Sequence, residues 1–410
     1  MSRFLMTSAL ATGLALPAMA QGEGREISGE LTYLPRIALP DDASVTLAVE
    51  GAFGTLLGEA RFDTGGAQVP LPFSLEVVPG LNGTLGALIR VEDSAWWIAQ
   101  DVAVPAGADP LDLGMITLEQ FSPLAFATAF DCGGTAVAFG IADDKAVLRV
   151  GGQDYEMQQA IAASGARYVA VDDESTEFWS KGDSAMLTVE GQDMGECTVV
   201  DPTPAAYRAR GNEPGWSATI GEASVEIDAD YGALALSADR PDVQLEPGAY
   251  VFDMPEIAAR LTVEDRLCKD LSTGMPHPHH ATLMLEDREL KGCGGDPASL
   301  LTGAEWTLTD IGGETPVEGA EAVLGFGPQD RAYGSTGCNR FMGGYTLTGE
   351  GLSMGQMGVT MMACPDPLMA QERAVLDALA AVTRFDIDES GVLLLIGGPE
   401  DAPLLTARRD

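Results

Sequence analysis

The chain has 410 residues, with 62 Asp and Glu against 23 Lys and Arg and a formal net charge of −39. So acidic a surface does not hold nucleic acid or anionic lipid unaided, and it favours a cationic partner as readily as plain solubility. The length exceeds one ordinary core and points to two to four domains.

The first residues read MSRFLMTSALATGLALPAMAQG. Arg3, the apolar run from Phe4 to Leu16 and the small-x-small site Ala18-Met19-Ala20 form an export signal over residues 1–20. No later window approaches the roughly 18 to 20 apolar residues of a membrane helix, so no stable membrane insertion is expected. Gln21 follows the cut where a lipid-modified protein has cysteine. The expectation is a periplasmic or secreted protein, soluble after removal of the signal.

Six cysteines, Cys132, Cys197, Cys268, Cys293, Cys338 and Cys364, suit a disulfide framework in an exported chain. Of the fifteen possible pairings, the sequential one closes each loop inside its own candidate domain. Loop entropy gives about 3.5 to 4.5 kcal/mol per bridge.

Pro- and Gly-rich breaks near 119–126, 199–211 and 291–303 divide the rest into four segments: 26–118, 124–200, 205–296 and 299–410. Short runs such as ASVTLAVEG, KAVLRVGG and AMLTVEG, each ended by a turn residue, read as strands. The fold class expected is mainly β, small β domains in tandem like beads. The main helix falls over Pro367–Val382, with Asp366 as cap, Pro367 in the first turn, and Leu368, Val375, Leu376, Leu379 and Val382 on one face.

Segment 26–118 (ISGELTYLPRIALPDDASVTLAVE, then SAWWIAQDVAVP) resembles the YbaY family, related to a type III secretion chaperone, which implies an immunoglobulin-like β-sandwich in the envelope. Trp96 and Trp97 read as packing residues.

Segment 124–200 carries FDCGG (130–134), VLRVGGQDYEM (147–157), SGARY (164–168), FWSKGDSAML (178–187) and GECTVV (195–200). In this order they resemble the MliC family of C-type lysozyme inhibitors. The resemblance implies a small antiparallel barrel closed by Cys132–Cys197. It also implies that the Ser of the Ser-Gly-x-x-Tyr loop and the Lys of the Lys-Gly turn enter the lysozyme cleft. Here those are Ser164, with Gly165 and Tyr168, and Lys181, with Ser180 and Gly182; Ser180 stands where the family usually has Thr. Gly165 and Gly182 allow tight turns, and Tyr168 and Trp179 are expected to brace them. The segment holds 4 Lys and Arg against 13 Asp and Glu, a charge suited to a cationic C-type lysozyme.

Segment 205–296 (RARGNEPGWSATIG and LCKDLSTGMPHPHHATLMLEDRELKGCGG) resembles an uncharacterised family of bacterial envelope proteins that usually has an aromatic residue where Gly215 stands. His277, His279 and His280 are expected in an exposed loop. They are weak metal candidates, because alternation sends His279 and His280 apart and no further ligand completes a set. Segment 299–410 (WTLTDIGG, GSTGCNRFMGGYTLTGEGL, VTMMACPDPLMAQE, VLLLIGG) resembles the META domain of HslJ-like envelope proteins, linked to stress. Gly337-Cys338-Asn339 reads as a corner pinned by Cys338–Cys364.

No G-x-S-x-G elbow, phosphate loop or H-E-x-x-H occurs, and Asp172-Asp173-Glu174 reads as a solvated turn. No enzyme activity and no cofactor is expected. Two functions follow: a lysozyme-inhibiting binding protein, or a non-inhibitory envelope scaffold or stress-response protein. A metal-binding role for the histidines is a third.

Overall fold

The computed structural model describes residues 24–92, 94–200, 206–327, 329–388 and 390–409. The expected export signal lies outside them. Among them no helix is long and apolar enough to cross a membrane.

The N-terminal part is a two-sheet sandwich. One sheet orders its strands Leu71–Val77, Arg25–Thr32, Leu111–Thr117, the other Leu56–Asp63, Ser44–Glu50, Gly83–Val91, Ser94–Val104, Glu119–Gln120. Strict alternation explains the packing. Leu71, Phe73, Leu75 and Val77 point inward from one strand, where the residues between them are exposed, and Val45, Leu47 and Val49 from another, where Thr46 and Ala48 between them are half-buried. Trp97 is buried and stacks on Tyr33, with ring centroids 4.2 Å apart.

Residues 128–199 form a closed barrel of eight antiparallel strands with its own core of Phe130, Phe139, Leu148, Phe178 and Leu187. Cys132 and Cys197 are register partners on its first and last strands, bridged by a disulfide at a Cα–Cα distance of 4.0 Å. Cys268–Cys293 and Cys338–Cys364 are the other two bridges.

A nine-stranded sheet follows, built from strands between Tyr207 and Gly294. Trp216, Ile227, Tyr250, Phe252 and Leu261 line its buried face. Gly215 lies under Tyr231, whose ring carbons come within 2.7 Å of where a Cβ would stand. An aromatic ring from the neighbouring turn thus covers the position. The last sheet, built from strands between Trp306 and Arg408, packs against the helix Asp366–Ala381 through Val375 and Leu379. Asp366 is the first helical residue and Pro365 stands at the cap, so the expected Asp366 cap is corrected. Gln371 and Glu372 on this helix are buried, and both bind Thr336, which holds the Gly337-Cys338-Asn339 corner.

These parts are not independent beads. The sandwich core runs without a break into that of 207–294, although the barrel separates the two in the chain. Phe53 is the junction, packing edge-on against Tyr207, Tyr250 and Phe252 at centroid distances of 4.9, 5.2 and 5.0 Å. Its φ of 61° is strained for a bulky residue and persists because the surrounding rings over-determine it. The Ala52 amide donates to the Tyr250 hydroxyl at 3.0 Å, and Asp265 accepts from the backbone and side chain of Asn82 at 2.6 and 2.7 Å. Lys269 and Asp386, 2.7 Å apart, tie the third part to the fourth. The barrel keeps a separate core and meets the sandwich at its edge, where the Ala95 amide donates to Asp143 at 2.9 Å.

Candidate functional site

Within the barrel, strand Ala166–Ala170 runs antiparallel to Glu177–Lys181, with Ala166 opposite Ser180 and Tyr168 opposite Phe178. This register places the loop carrying Ser164 beside the turn after Lys181. Gly165 makes the approach possible. It has φ 70°, and a Cβ there would lie 2.3 Å from the Ser180 carbonyl oxygen. Gly182, with φ 61°, has open space around it. The Trp179 indole N–H donates to the Ser164 carbonyl at 2.7 Å, clamping the loop from the neighbouring strand.

Ser164, Gly165, Lys181 and Gly182 are exposed, and Ser180 is half-buried. Tyr168 is half-buried and turns toward the barrel core, where its ring lies 4.8 Å from Phe139; it supports the loop through the core.

The electrostatics leave two barrel cations unpaired among the described residues, Lys145 and Lys181, and Lys181 is the one beside the Ser164 loop. Of the barrel's four cations, Arg149 is held by Asp154 through two hydrogen bonds and Arg167 by Glu177 through two more. Those hydrogen bonds hold the carboxyls of Asp154 and Glu177 below their usual range. Among the described residues, the Lys181 ammonium has no hydrogen-bond or ion-pair partner. Asp172-Asp173-Glu174 is a turn: Asp173 accepts from the Ser175 hydroxyl and amide, which lowers its pKa.

Two apolar neighbours escaped the sequence reading. Met186 faces outward opposite Trp179 and is 48% exposed, and Ile161, at the start of the Ser164 loop, is 97% exposed. Their signal was an apolar residue at an outward position or in a polar loop.

Strand alternation puts the Ser164 loop and the Lys181–Gly182 turn at the same end of the barrel as the Asp143–Asp144 turn that touches the sandwich. In the strand order, the Lys181 turn lies four strands away from that contact, across the same rim.

The histidines do not occupy an exposed loop, which corrects that expectation. His277 is buried in a short strand paired with Cys268–Lys269, its Nδ1 3.0 Å from the Gly295 carbonyl oxygen. His279 faces Tyr207, while His280 Nδ1 lies 3.0 Å from Glu264. Burial lowers the pKa of both His279 and His280. Among the described residues no group of three or more His, Cys, Asp or Glu is arranged to hold a metal ion.

Comparison with known families matches three segments. Residues 23–109 match the type III secretion system lipoprotein chaperone family (YscW). Residues 130–195 match the membrane-bound lysozyme inhibitors of c-type lysozyme (MliC), and residues 299–410 match the META domain. Among solved structures, the chain is similar to an alternative pilotin from the type II secretion system of Vibrio cholerae. Identity is 26% over 24% of this chain and 98% of that one, with a TM-score of 0.20. It is also similar to a protein from Burkholderia xenovorans solved by NMR, 30% identical over 28% of this chain and 88% of that one, with a TM-score of 0.24. No curated protein matches the chain significantly. The chain thus carries, in order, segments that match the YscW, MliC and META families.

Proposed function

We propose that the protein is a soluble extracytoplasmic binding protein that inhibits C-type lysozyme by presenting Lys181 and Ser164 to the active-site cleft. The observation that carries this reading is the pair of exposed side chains on adjacent loops, held together by the Trp179–Ser164 hydrogen bond and the side-chain-free surface of Gly165.

Lysozyme cleaves sugar with two carboxyl groups, one kept protonated by its surroundings. An unpaired ammonium gains most where a carboxylate awaits it in a partly desolvated cleft, because a charge-assisted hydrogen bond is stronger there than in water. The Ser164 hydroxyl supplies a second donor. Trp179, Met186 and Ile161 supply apolar rim area, and the acidic barrel accelerates encounter with a cationic enzyme.

The test is a peptidoglycan lysis assay with a C-type lysozyme, titrating wild type, Lys181→Ala and Ser164→Ala at low and moderate salt. Removing one partner of a buried charge pair costs about 2 to 5 kcal/mol. Lys181→Ala should therefore lose most of the inhibition, Ser164→Ala less, and added salt should slow association. A folded wild-type protein that leaves lysis untouched removes the reading.

One observation favours the alternative of a non-inhibitory envelope scaffold: the loops share a barrel end with the Asp143 contact to the sandwich, which narrows the approach. Under that alternative, neither variant changes any lysozyme property.

A further inference from the structure

A cavity of about 1070 Å³ opens where the sandwich, the sheet of 207–294 and the META segment meet. None of its lining residues belongs to the barrel, so it is independent of the lysozyme reading. Phe53, Ile220 and Leu347, one from each part, form its apolar wall, so the cavity exists only because the three parts pack.

Its polar groups are graded by depth. At the exposed side stand Arg208 and Arg210, which alternate with buried Ala209 on one strand, and half-buried Arg240, whose guanidinium donates to the Gly221 carbonyl at 3.2 Å. Among the described residues Arg208 has no partner, and Arg210 reaches only Asp270, at 3.8 Å. Glu222, Asp296 and Asp330 also line the cavity, and Asp296 is engaged in accepting from the Ala298 amide. The formal charges of this rim balance, in a chain whose total is −39; the site is a local break in an acidic surface.

At the buried side lie polar atoms without partners. His277 is 6% exposed, and its Nε2 is buried with no hydrogen bond; the Tyr207 hydroxyl and His279 Nδ1 are in the same state. Nδ1 of His277 faces a carbonyl oxygen, which assigns the hydrogen to Nδ1 and leaves Nε2 as the acceptor of that tautomer. Burial pushes the Tyr207 phenol far above its ordinary pKa, so it stays a donor. Buried polar groups are ordinarily satisfied, and a cluster of unpaired ones beside a cavity at a domain junction marks a ligand position.

We propose that this cavity binds an elongated amphiphile with a hydroxyl at its inner end, an apolar body and a carboxylate at its outer end. The hydroxyl donates to His277 Nε2 and accepts from Tyr207. The body lies on Phe53, Ile220 and Leu347, and the carboxylate meets the forked guanidinium donors of Arg208 and Arg210.

The test is calorimetric titration of the purified full chain with 12-hydroxydodecanoate, dodecanoate and 1,12-dodecanediol, which differ only in their ends. The expected result is tightest binding of 12-hydroxydodecanoate, with each of the other two weaker by about fivefold or more, the loss typical of one unmatched hydrogen-bonding end. The double variant Arg208→Gln/Arg210→Gln, made on exposed side chains, should weaken both acids about tenfold or more and leave the diol unchanged. No binding of 12-hydroxydodecanoate at about millimolar concentration overturns the proposal, as does a double variant that binds it like wild type. Equal affinity for all three probes reduces the cavity to a nonspecific apolar hollow and also overturns it.

Discussion

Replacing Gly165 with alanine separates the two roles glycine plays at the barrel mouth. At Gly182 the only cost of a side chain is the left-handed backbone, about 1 to 2 kcal/mol, because nothing lies within 4 Å of the new Cβ. Gly165 has the same backbone penalty, but its Cβ would stand 2.3 Å from the Ser180 carbonyl oxygen, where ordinary contact begins at 3.4 Å. Relief requires the two strands to part by about 1 Å, and overpacking of that kind adds about 1 to 3 kcal/mol. Parting them also stretches the 2.7 Å Trp179–Ser164 bond beyond useful length. Gly165→Ala should therefore raise amide exchange across 160–185 strongly, measured by mass spectrometry on the full chain, and should abolish most lysozyme inhibition. Gly182→Ala should raise exchange only near the turn and keep most of the inhibition. Equal behaviour of the two variants would refute the claim that Gly165 is there for loop contact.

Other consequences are equally direct. Trp179→Phe keeps an aromatic ring but deletes the indole N–H and its hydrogen bond to Ser164, costing about 0.5 to 1.5 kcal/mol of loop order; inhibition should weaken severalfold while melting of the barrel stays near wild type. Asp270 is buried. Although burial alone would raise its pKa, donors from Ser272, Thr273 and Asn212 hold it well below the ordinary value. A depressed carboxyl pKa stabilises above the unfolded value and loses that contribution as pH falls through the folded one. Unfolding of the 207–294 sheet should thus show an acid-side loss of stability below about pH 3.8. Asp270→Asn should flatten that loss in acid denaturation monitored by circular dichroism, and lower stability at neutral pH by about 1 to 3 kcal/mol. Phe53→Ala removes the ring that joins two cores and should cost about 3 to 5 kcal/mol, splitting into two transitions a calorimetric unfolding that the sandwich and the 207–294 sheet otherwise share.

Legibility followed the range of the interaction. The mainly β class, the barrel strands and the helix near 366–381 were readable because alternation and turn residues are local signals. Asp366 was misassigned because an Asp-Pro pair suits both a cap followed by the first turn and the first two helical positions. The histidines were misread because flanking prolines suggest a loop, whereas a two-residue strand is too short to show a period and its burial comes from segments far away. The shared core around Phe53 left no trace at all: its partners lie more than 150 residues further on, beyond the whole barrel. At the barrel end that carries the two loops, resemblance named Ser164 and Lys181 and suggested bracing by Tyr168 and Trp179, but only the folded strands show the form it takes, an indole bond from Trp179 to the Ser164 carbonyl and a Tyr168 ring packed on Phe139.

The most direct test of the central claim is competition for the lysozyme cleft. Binding of the full chain to a C-type lysozyme is measured with and without a saturating chito-oligosaccharide that fills the cleft. Insertion of Lys181 and Ser164 predicts mutual exclusion, with apparent affinity falling in proportion to cleft occupancy and with Lys181→Ala binding weakly in either condition. Simultaneous binding of protein and oligosaccharide, or full affinity in Lys181→Ala, would contradict it.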